Sequence, residues 1–378
     1  MPNRSVLEEL IRLNGGVENL AYEEENLWFS EKPAYMPFIA ELKETVKNEE
    51  IRGVILLATD QDIIWASGSR SVDVDGKIVT PLTTFEIGSV TKMYTATCIC
   101  KLAEAGKLSL EDKVRDYFPA FEKGGDITVY DLLHMRSGLT DLANECETFF
   151  GSQELAGAFN RGEITDEVFF EHLYQHDLKF APGAKMEYCN TNYVLLAMIV
   201  EKVTGKAYKD YVKEQIFTPL GMDASSATTP GDVTSVPERE AGYMKELHTA
   251  RGAGDIHSNA LNVLTFNRAF FNEKIVSHEV KETMLDFADN YGCGWESSEE
   301  HPGLVMHDGG TNSYITLNRV FHAADNRTYL IMLTCGYEDP EEEKKEAAGE
   351  ETKNEAAGEN KKFDQYQRIF DLCVKHLQ

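Results

Sequence analysis

A hydroxyl and an amine lie three residues apart in Gly88-Ser89-Val90-Thr91-Lys92, the only S-x-x-K pattern in the chain. The pattern follows an extended segment and precedes an apolar run, Met93 to Ala105, that is typical of a helix. Side chains at this spacing on a helix share one face, about 5–6 Å apart at Cβ, so Lys92 could take the proton of Ser89. Unpaired N–H groups at the helix start would favour the resulting oxyanion. The pattern therefore predicts a nucleophile beside its base.

Two further polar motifs follow in chain order. Tyr188-Cys189-Asn190 is the only Y-x-N in the chain, and His307-Asp308-Gly309-Gly310 lies between strand-like segments. An isolated S-x-x-K arises readily by chance, and most such pairs are a helix cap and an exposed lysine. Three motifs in this order are far more specific than any one of them. Together they favour a catalytic interpretation.

The three motifs resemble those of the serine β-lactamase and penicillin-binding-protein family, in the branch of class C β-lactamases, D-Ala-D-Ala peptidases and related esterases. The resemblance spans roughly residues 52–337 and the terminal helix. It also covers segments outside the motifs, namely Leu132–Leu139, Ala181-Pro182-Gly183, Thr191-Asn192-Tyr193 and Phe217–Met222. It implies a β-lactamase/transpeptidase-like fold and the cleavage of an amide or ester bond through an acyl-serine.

Carried over residue by residue, the resemblance implies catalytic roles for Ser89, Lys92 and Tyr188. Ser89 would be acylated, Lys92 would accept its proton, and Tyr188 would pass a proton to the leaving group. Reference pKa values of ~10.4 for lysine and ~10 for tyrosine leave both groups protonated at neutral pH. Burial or a neighbouring cation must therefore shift at least one of them. The sequence leaves open which of the two is the base.

The resemblance also implies four substrate-binding residues, which are Asn190, His307, Gly309 and Gly310. Asn190 would hydrogen-bond either the substrate or Lys92. The backbone N–H groups of Ser89 and Gly310 would form an oxyanion hole. Gly309 has no side chain, so a substrate backbone could lie against its strand.

The third motif departs from the Lys-Thr-Gly that is frequent in the family. His307 is mostly neutral at pH 7 if its pKa is near the reference value of ~6.5, and Asp308 adds a negative charge nearby. Ser313 stands where a glycine is common. β-Lactams and D-Ala-terminated peptides carry a carboxylate, for which this motif offers little positive charge. We therefore predict poor β-lactam turnover and a preference for uncharged esters, amides or peptides.

The elements that position these motifs come from both ends of the chain. Helix patterns are present at Val6–Leu13 and Pro37–Lys47, and strand patterns follow at Gly53–Ala58 and Ile63–Ala66. Strand-like runs return late in the sequence at Tyr291–Trp295, Val305–His307, Tyr314–Phe321 and Tyr329–Thr334. A last helix is predicted at Tyr366–Leu377.

This order predicts an α/β (α+β) fold, in which an antiparallel sheet built from both chain ends is flanked by helices. Residues 107–289 form an inserted, mostly helical region. The predicted sheet domain comprises residues 38–106 and 290–378, and residues 1–37 form an N-terminal helical extension. The resemblance implies a site in the cleft between the sheet domain and the helical region.

Composition agrees with a globular enzyme, because 378 residues that are 42% hydrophobic can bury a sizeable core. A net charge of −27 disfavours nucleic acid and anionic membranes as partners, which leaves a small molecule or peptide as the substrate. Residues 338–362 have the Glu, Lys, Ala, Gly and Asn composition of a solvated acidic insert. The seven scattered cysteines indicate reduced thiols, and no signal peptide is visible, which favours a cytoplasmic location.

No cofactor or metal is implied. His172 and His176 have helical spacing but lack the glutamate of H-E-x-x-H, and Gly252-Ala253-Gly254 lacks the third glycine of a dinucleotide-binding loop. The leading hypothesis is a serine hydrolase. Three alternatives remain open: an acyltransferase that uses the same acyl-enzyme, a classical class C β-lactamase or D-Ala-D-Ala carboxypeptidase, and a non-catalytic penicillin-binding-like sensor.

Overall fold

The computed structural model describes residues 4–16, 19–23, 26–48, 51, 53–69, 79–160, 163–227, 250–311, 314–323, 326–335 and 366–376. Ser313 and the acidic insert 338–362 lie outside these residues, so the predictions made for them stay predictions.

The β-strands are β1 (Leu20–Glu23), β2 (Leu27–Ser30), β3 (Gly53–Thr59), β4 (Ile63–Ser67), β5 (Phe85–Glu86), β6 (Ser226–Ala227), β7 (Ile256–Ser258), β8 (Glu296–Ser297), β9 (Leu304–Met306), β10 (Gly309–Gly310), β11 (Tyr314–Ala323) and β12 (Asn326–Cys335). Nine of the described strands form one antiparallel sheet in the order β1-β2-β4-β3-β12-β11-β9-β8, with β10 paired to β11. A small second sheet has the order β5-β7-β6.

The α-helices are α1 (Arg4–Leu13), α2 (Met36–Asn48), α3 (Thr91–Glu104), α4 (Val114–Tyr117), α5 (Val129–Leu133), α6 (Cys146–Phe150), α7 (Gln153–Asn160), α8 (Asp166–Gln175), α9 (Asn190–Thr204), α10 (Tyr208–Val212), α11 (Thr218–Leu220), α12 (Ala260–Phe271), α13 (His278–Met284) and α14 (366–376). A short 3-10 turn, Gly88–Val90, leads into α3.

Helices cover both faces of the large sheet, which explains why its central strands are continuously apolar. Every residue of β3 is buried, and β3 pairs with β12 along its whole length. On one face the sheet packs against α12, in the larger hydrophobic core that also contains residues of α3 and α9. On the other face it packs against α2 and α14 through residues such as Phe38 and Phe370. Strands buried on both faces lose the alternating pattern of a half-exposed sheet.

The predicted fold class is confirmed, because an antiparallel sheet drawn from both chain ends is flanked by helices. The division into domains stays a prediction. The first 37 residues, however, are not only helical. Their hairpin of β1 and β2 joins the large sheet through β4, where Trp28 pairs with Ala66. Each strand has four residues, which is too short for a clear period-two pattern.

The strand predicted at Tyr291–Trp295 is also displaced, since the strand in this part of the chain is β8 at Glu296–Ser297. Gly294 explains the shift. Its φ of +73° is the left-handed conformation that interrupts a strand, and a Cβ there would lie 2.6 Å from the carbonyl oxygen of Lys92. The segment therefore bends so that its backbone can pack closely against α3.

Candidate active site

Ser89 and Lys92 lie at the start of α3, where the chain leaves the 3-10 turn. Nζ of Lys92 is 2.9 Å from Oγ of Ser89 and is completely buried with the rest of its side chain. Two further acceptors hold the amine, which are Oδ1 of Asn190 at 2.8 Å and the carbonyl oxygen of Ala253 at 2.7 Å. The structure therefore confirms the predicted contact between hydroxyl and amine, and it adds Ala253 as a partner that the sequence did not indicate.

Burial changes the protonation of Lys92. Desolvation lowers its pKa to about 7, although the negative charges of Asp141 and Glu296 oppose that shift. Near neutral pH a large fraction of the amine is therefore unprotonated. In that form Lys92 can accept the proton of the Ser89 hydroxyl.

Tyr188 contacts the same hydroxyl from the other side. Its phenol donates a hydrogen bond of 2.7 Å to Oγ of Ser89, and Nζ of Lys92 lies 4.8 Å from the centre of its ring. Burial raises the pKa of Tyr188 above its ordinary value, with a smaller opposing effect from the Ser89 bond. Tyr188 is therefore protonated at neutral pH. Of the two candidate bases, Lys92 is the one that can accept a proton, and Tyr188 is placed to donate one.

Asn190 begins α9 and connects the amine to a buried carboxylate. Its amide nitrogen Nδ2 donates to both carboxylate oxygens of Asp141, at 3.2 and 3.1 Å, and its backbone N–H donates to the same group. Of the two partners considered for Asn190, substrate or Lys92, the structure shows the bond to Lys92. Asp141 was not identified from the sequence. Its position two residues after the Leu132–Leu139 segment is the only signal that could have indicated it.

Strand β10 lies directly against the turn that carries the nucleophile. A Cβ on Gly309 would lie 2.1 Å from the carbonyl oxygen of Ile87 and 3.1 Å from the backbone nitrogen of Ser89. The amide of Thr311 donates to β11. Since successive amides of a strand point in opposite directions, the amide of Gly310 points away from β11, toward the turn. The two amides predicted to form an oxyanion hole, those of Ser89 and Gly310, are thus on facing segments.

The close approach of β10 makes a testable prediction about its two glycines. Gly309→Ala should lower the melting temperature by roughly 3–8 °C and reduce turnover about 10²-fold, because its Cβ would push β10 from the turn. Gly310→Ala is the matched control, since within the described ranges a Cβ there would have no atom within 4 Å apart from those of its chain neighbours. In thermal unfolding, the melting temperature of Gly310→Ala should be close to that of the wild-type protein. Equal stability of Gly309→Ala and wild type would contradict this packing.

His307 is buried beside the site and contacts other protein groups. The ring is 1% exposed, Nδ1 is 2.7 Å from the Asp308 carbonyl oxygen, and Nε2 is 3.1 Å from the Tyr291 phenol. The carbonyl can only accept, which places the proton on Nδ1 and makes Nε2 an acceptor. Burial and the charge of Lys92 lower the pKa of His307 to about 3. The imidazole is therefore neutral, as expected, but it contacts Tyr291 and offers almost no surface to a substrate.

Asp308 adds negative charge beside the pocket, as expected, since its charge raises the pKa of Glu296, but its carboxylate also has protein partners. Its Oδ2 forms an ion pair with Arg319 at 2.8 Å, and its Oδ1 accepts the backbone N–H of Asn318 at 3.3 Å. Asp308 thus already has a cationic partner. A carboxylate that the sequence did not indicate, Glu296, lies 3.7 Å from Nε2 of His307.

Neither a metal centre nor a membrane span is found in the described parts of the chain. In these parts, no three His, Cys, Asp or Glu side chains are grouped closely enough to share a metal ion. His176, one of the two spaced histidines, bonds the carbonyl oxygen of Phe149 at 2.7 Å. No described helix is long and apolar enough to cross a membrane.

The helix-flanked antiparallel sheet and the cluster of Ser89, Lys92 and Tyr188 define the class of serine β-lactamases and penicillin-binding proteins. The Beta-lactamase family model matches residues 38–352, and the chain belongs to this family. A penicillin-binding protein of Bacillus subtilis (strain 168) is 30% identical over 331 residues, which cover 79% of this chain and 71% of that relative. The family resemblance found in the motifs is therefore confirmed.

Solved structures show the same fold. The D-amino acid amidase from Ochrobactrum anthropi SV3 has a TM-score of 0.63 at 23% identity, over 78% of this chain and 92% of its own. A penicillin binding protein from Bacillus halodurans has a TM-score of 0.64 at 21% identity, over 77% of this chain and 94% of its own. At these identities the likeness supports the fold alone.

Proposed function

We propose that this protein is a serine hydrolase that cleaves an amide or ester bond through an acyl intermediate on Ser89. The observation that carries the proposal is the position of Oγ of Ser89 between Nζ of Lys92 at 2.9 Å and the phenol of Tyr188 at 2.7 Å. A nucleophile with a proton acceptor on one side and a proton donor on the other is equipped for acyl transfer.

In the proposed first half-reaction, Oγ of Ser89 attacks the substrate carbonyl carbon while neutral Lys92 takes the hydroxyl proton. The N–H groups of Ser89 and Gly310 stabilise the oxyanion of the tetrahedral intermediate. As that intermediate collapses, the bond to the leaving group breaks and Tyr188 gives the leaving group its proton. The protonated Lys92 then returns a proton to Tyr188.

In the second half-reaction a water molecule attacks the acyl-Ser89 carbonyl and loses a proton to Lys92. The same amides hold the oxyanion, and as this intermediate collapses the bond between the acyl carbon and Oγ of Ser89 breaks and Lys92 returns its proton to Ser89. Both groups are then in their starting states, so the cycle is balanced. This assignment follows from the lowered pKa of Lys92 and the raised pKa of Tyr188.

The proposed substrates are uncharged at the position where β-lactams carry a carboxylate. His307 is neutral, Arg319 is paired with Asp308, and Glu296, whose pKa is about 7, adds a partial negative charge at neutral pH. A substrate carboxylate would therefore meet little positive charge at the third motif. The relatives include proteins named for penicillin binding and for D-amino acid amide cleavage, so both kinds of substrate belong in the test.

Neutral phenyl esters should be hydrolysed with a kcat/KM at least about tenfold higher than benzylpenicillin or a cephalosporin, because a carboxylate would add an unfavourable electrostatic interaction. Steady-state assays with both substrate types, alongside amides of D-amino acids, would measure this. The Ser89→Ala variant supplies the background rate. Efficient penicillin or cephalosporin turnover would refute this substrate preference and would favour the classical β-lactamase or carboxypeptidase alternative.

The acyltransferase alternative differs only in what captures the acyl group. Adding a primary alcohol to the same assay should leave most of the product as free acid if the protein is a hydrolase. Diversion of most product into a new ester would identify an acyltransferase instead. A stable adduct on Ser89 without turnover would identify a sensor.

A further inference from the structure

Glu296 lies beside the third motif, at the edge of the large sheet. Its backbone in β8 pairs with Met306, and its Oε1 is 3.7 Å from Nε2 of His307. The side chain is 31% exposed, so the carboxylate is open to solvent while its surroundings are largely protein. Its charge also raises the pKa values of Lys92 and Tyr188. Glu296 is thus within electrostatic reach of the groups that would perform the chemistry.

Within the described residues no Lys or Arg forms an ion pair with this carboxylate, although the charges of Lys92 and Arg319 act on it from further away. Nε2 of His307 accepts the hydrogen bond of Tyr291 and so presents no proton to Glu296. Arg319 is paired with Asp308. Within the described ranges no group donates a hydrogen bond to the Glu296 carboxylate, whose closest basic nitrogen there is the neutral imidazole. A partly desolvated carboxylate without a cationic partner is costly, and a bound cation would relieve that cost.

We propose that Glu296 is a specificity-determining residue that binds a cationic group, such as an ammonium, on the substrate. This inference rests on the proposed Ser89 hydrolase and names its preferred substrate class. A cation near Glu296 forms an ion pair with a partly desolvated carboxylate, whereas a substrate carboxylate at the same place is repelled. The value of kcat/KM is therefore expected to be highest for cationic substrates, lower for neutral ones and lowest for anionic ones.

The pH dependence of this preference has a defined sign. Burial, and then the charge of Asp308, raise the pKa of Glu296 to about 7. The group is a neutral acid below that pH and a carboxylate above it, so the preference for a cation increases as the pH rises through about 7. The titratable and charged groups that act on or contact Glu296 are Lys92, Asp308, Arg319, His307, Tyr188 and Tyr291.

Lys92 loses its positive charge over the same pH range, and this loss also increases the preference for a cationic substrate as the pH rises. A variant without the Glu296 charge is therefore needed to separate the two groups. Glu296→Gln keeps the size of the side chain and leaves Lys92 free to titrate.

The test compares p-nitrophenyl esters of γ-trimethylammoniobutyrate and of its neutral isostere, in which a tert-butyl group replaces the permanent cation. Homologues with one and two fewer methylenes vary the distance between the ester and the cationic group. The p-nitrophenyl monoester of glutarate is the anionic substrate. At pH 8 the wild-type protein should prefer the best cationic ester over its isostere about tenfold in kcat/KM. Glu296→Gln should reduce this ratio to about one and remove most of its rise with pH.

Glu300→Gln is the matched control, because it removes the same charge from an exposed position four residues further along. It should keep the wild-type ratio. An unchanged ratio in Glu296→Gln, or an equal loss in Glu300→Gln, would overturn the proposal. Glu296→Lys provides a second test, since it should make the monoglutarate ester the better substrate, and a persisting cation preference in that variant would also overturn it.

The outcomes separate this inference from the function on which it rests. Ser89-dependent turnover of the neutral isostere without any preference for the cation would reject the role of Glu296 alone. Absence of Ser89-dependent turnover and acylation with every ester would reject the hydrolase itself.

Discussion

Replacing Ser89 with alanine is expected to abolish covalent labelling by a fluorophosphonate and to lower ester turnover by about 10⁴-fold or more, the scale seen when a serine nucleophile is removed. The reason is chemical, because Ser89 is the only hydroxyl among the described residues that bonds both the Lys92 amine and the Tyr188 phenol. Intact-mass and peptide mass spectrometry of the labelled wild-type protein should place one phosphonyl group on the peptide that contains Ser89.

Ser152 provides a control for this experiment, since it is an exposed serine of the inserted region. Ser152→Ala should label and turn over like the wild-type protein. Thermal unfolding of Ser89→Ala should also resemble that of wild type, because only one hydroxyl is removed. Labelling that persists on another residue in Ser89→Ala, at the wild-type rate, would show that the nucleophile is misassigned.

Lys92→Ala and Tyr188→Phe should each lower kcat by about 10²-fold or more, the amount expected when general-base or general-acid assistance is lost. Lys92 supplies the proton acceptor and Tyr188 the proton donor of the proposed first half-reaction. Stopped-flow or steady-state assays on a neutral ester would measure both losses. Lys107→Ala and Tyr174→Phe are matched controls outside this cluster and should retain the wild-type rate.

The pH profile distinguishes Lys92 as a base from Lys92 as a structural group. Its pKa is about 7, so the amine is protonated and inactive below that pH and becomes a competent base above it. Wild-type acylation of a neutral ester should therefore rise as the pH increases through about 7. This ascending limb should disappear in Lys92→Ala. Near wild-type rates in both Lys92→Ala and Tyr188→Phe would mean that the acid and base are misassigned.

The sequence predicted the parts of the site whose geometry is local. Residues three apart at the start of a helix share a face whatever surrounds the helix, which is why the contact between Ser89 and Lys92 could be predicted. The central strands were predicted for a similar reason, since β3 and β12 are long apolar runs whose composition matches burial on both faces.

The sequence failed where position depends on distant packing. Asp141 contacts Asn190 from 49 residues away, and Lys92 bonds the carbonyl oxygen of Ala253 across 161 residues. Glu296 has no motif around it and enters the site only because β8 pairs with β9. The hairpin of β1 and β2 was missed because such short strands are stabilised by their partners in the sheet, rather than by an alternating pattern of their own.

The amino-acid sequence by itself determined which groups could react, because the identities and order of Ser89, Lys92, Tyr188 and the glycines of the third motif are covalent facts. Only the tertiary structure decided how those groups are charged. Desolvation depends on every element packed around a side chain, so the pKa of Lys92 falls to about 7 and that of His307 to about 3 only inside the fold. Likewise, Asp308 is paired with Arg319 and Glu296 is left facing a neutral imidazole because strand register, rather than sequence proximity, selects ionic partners.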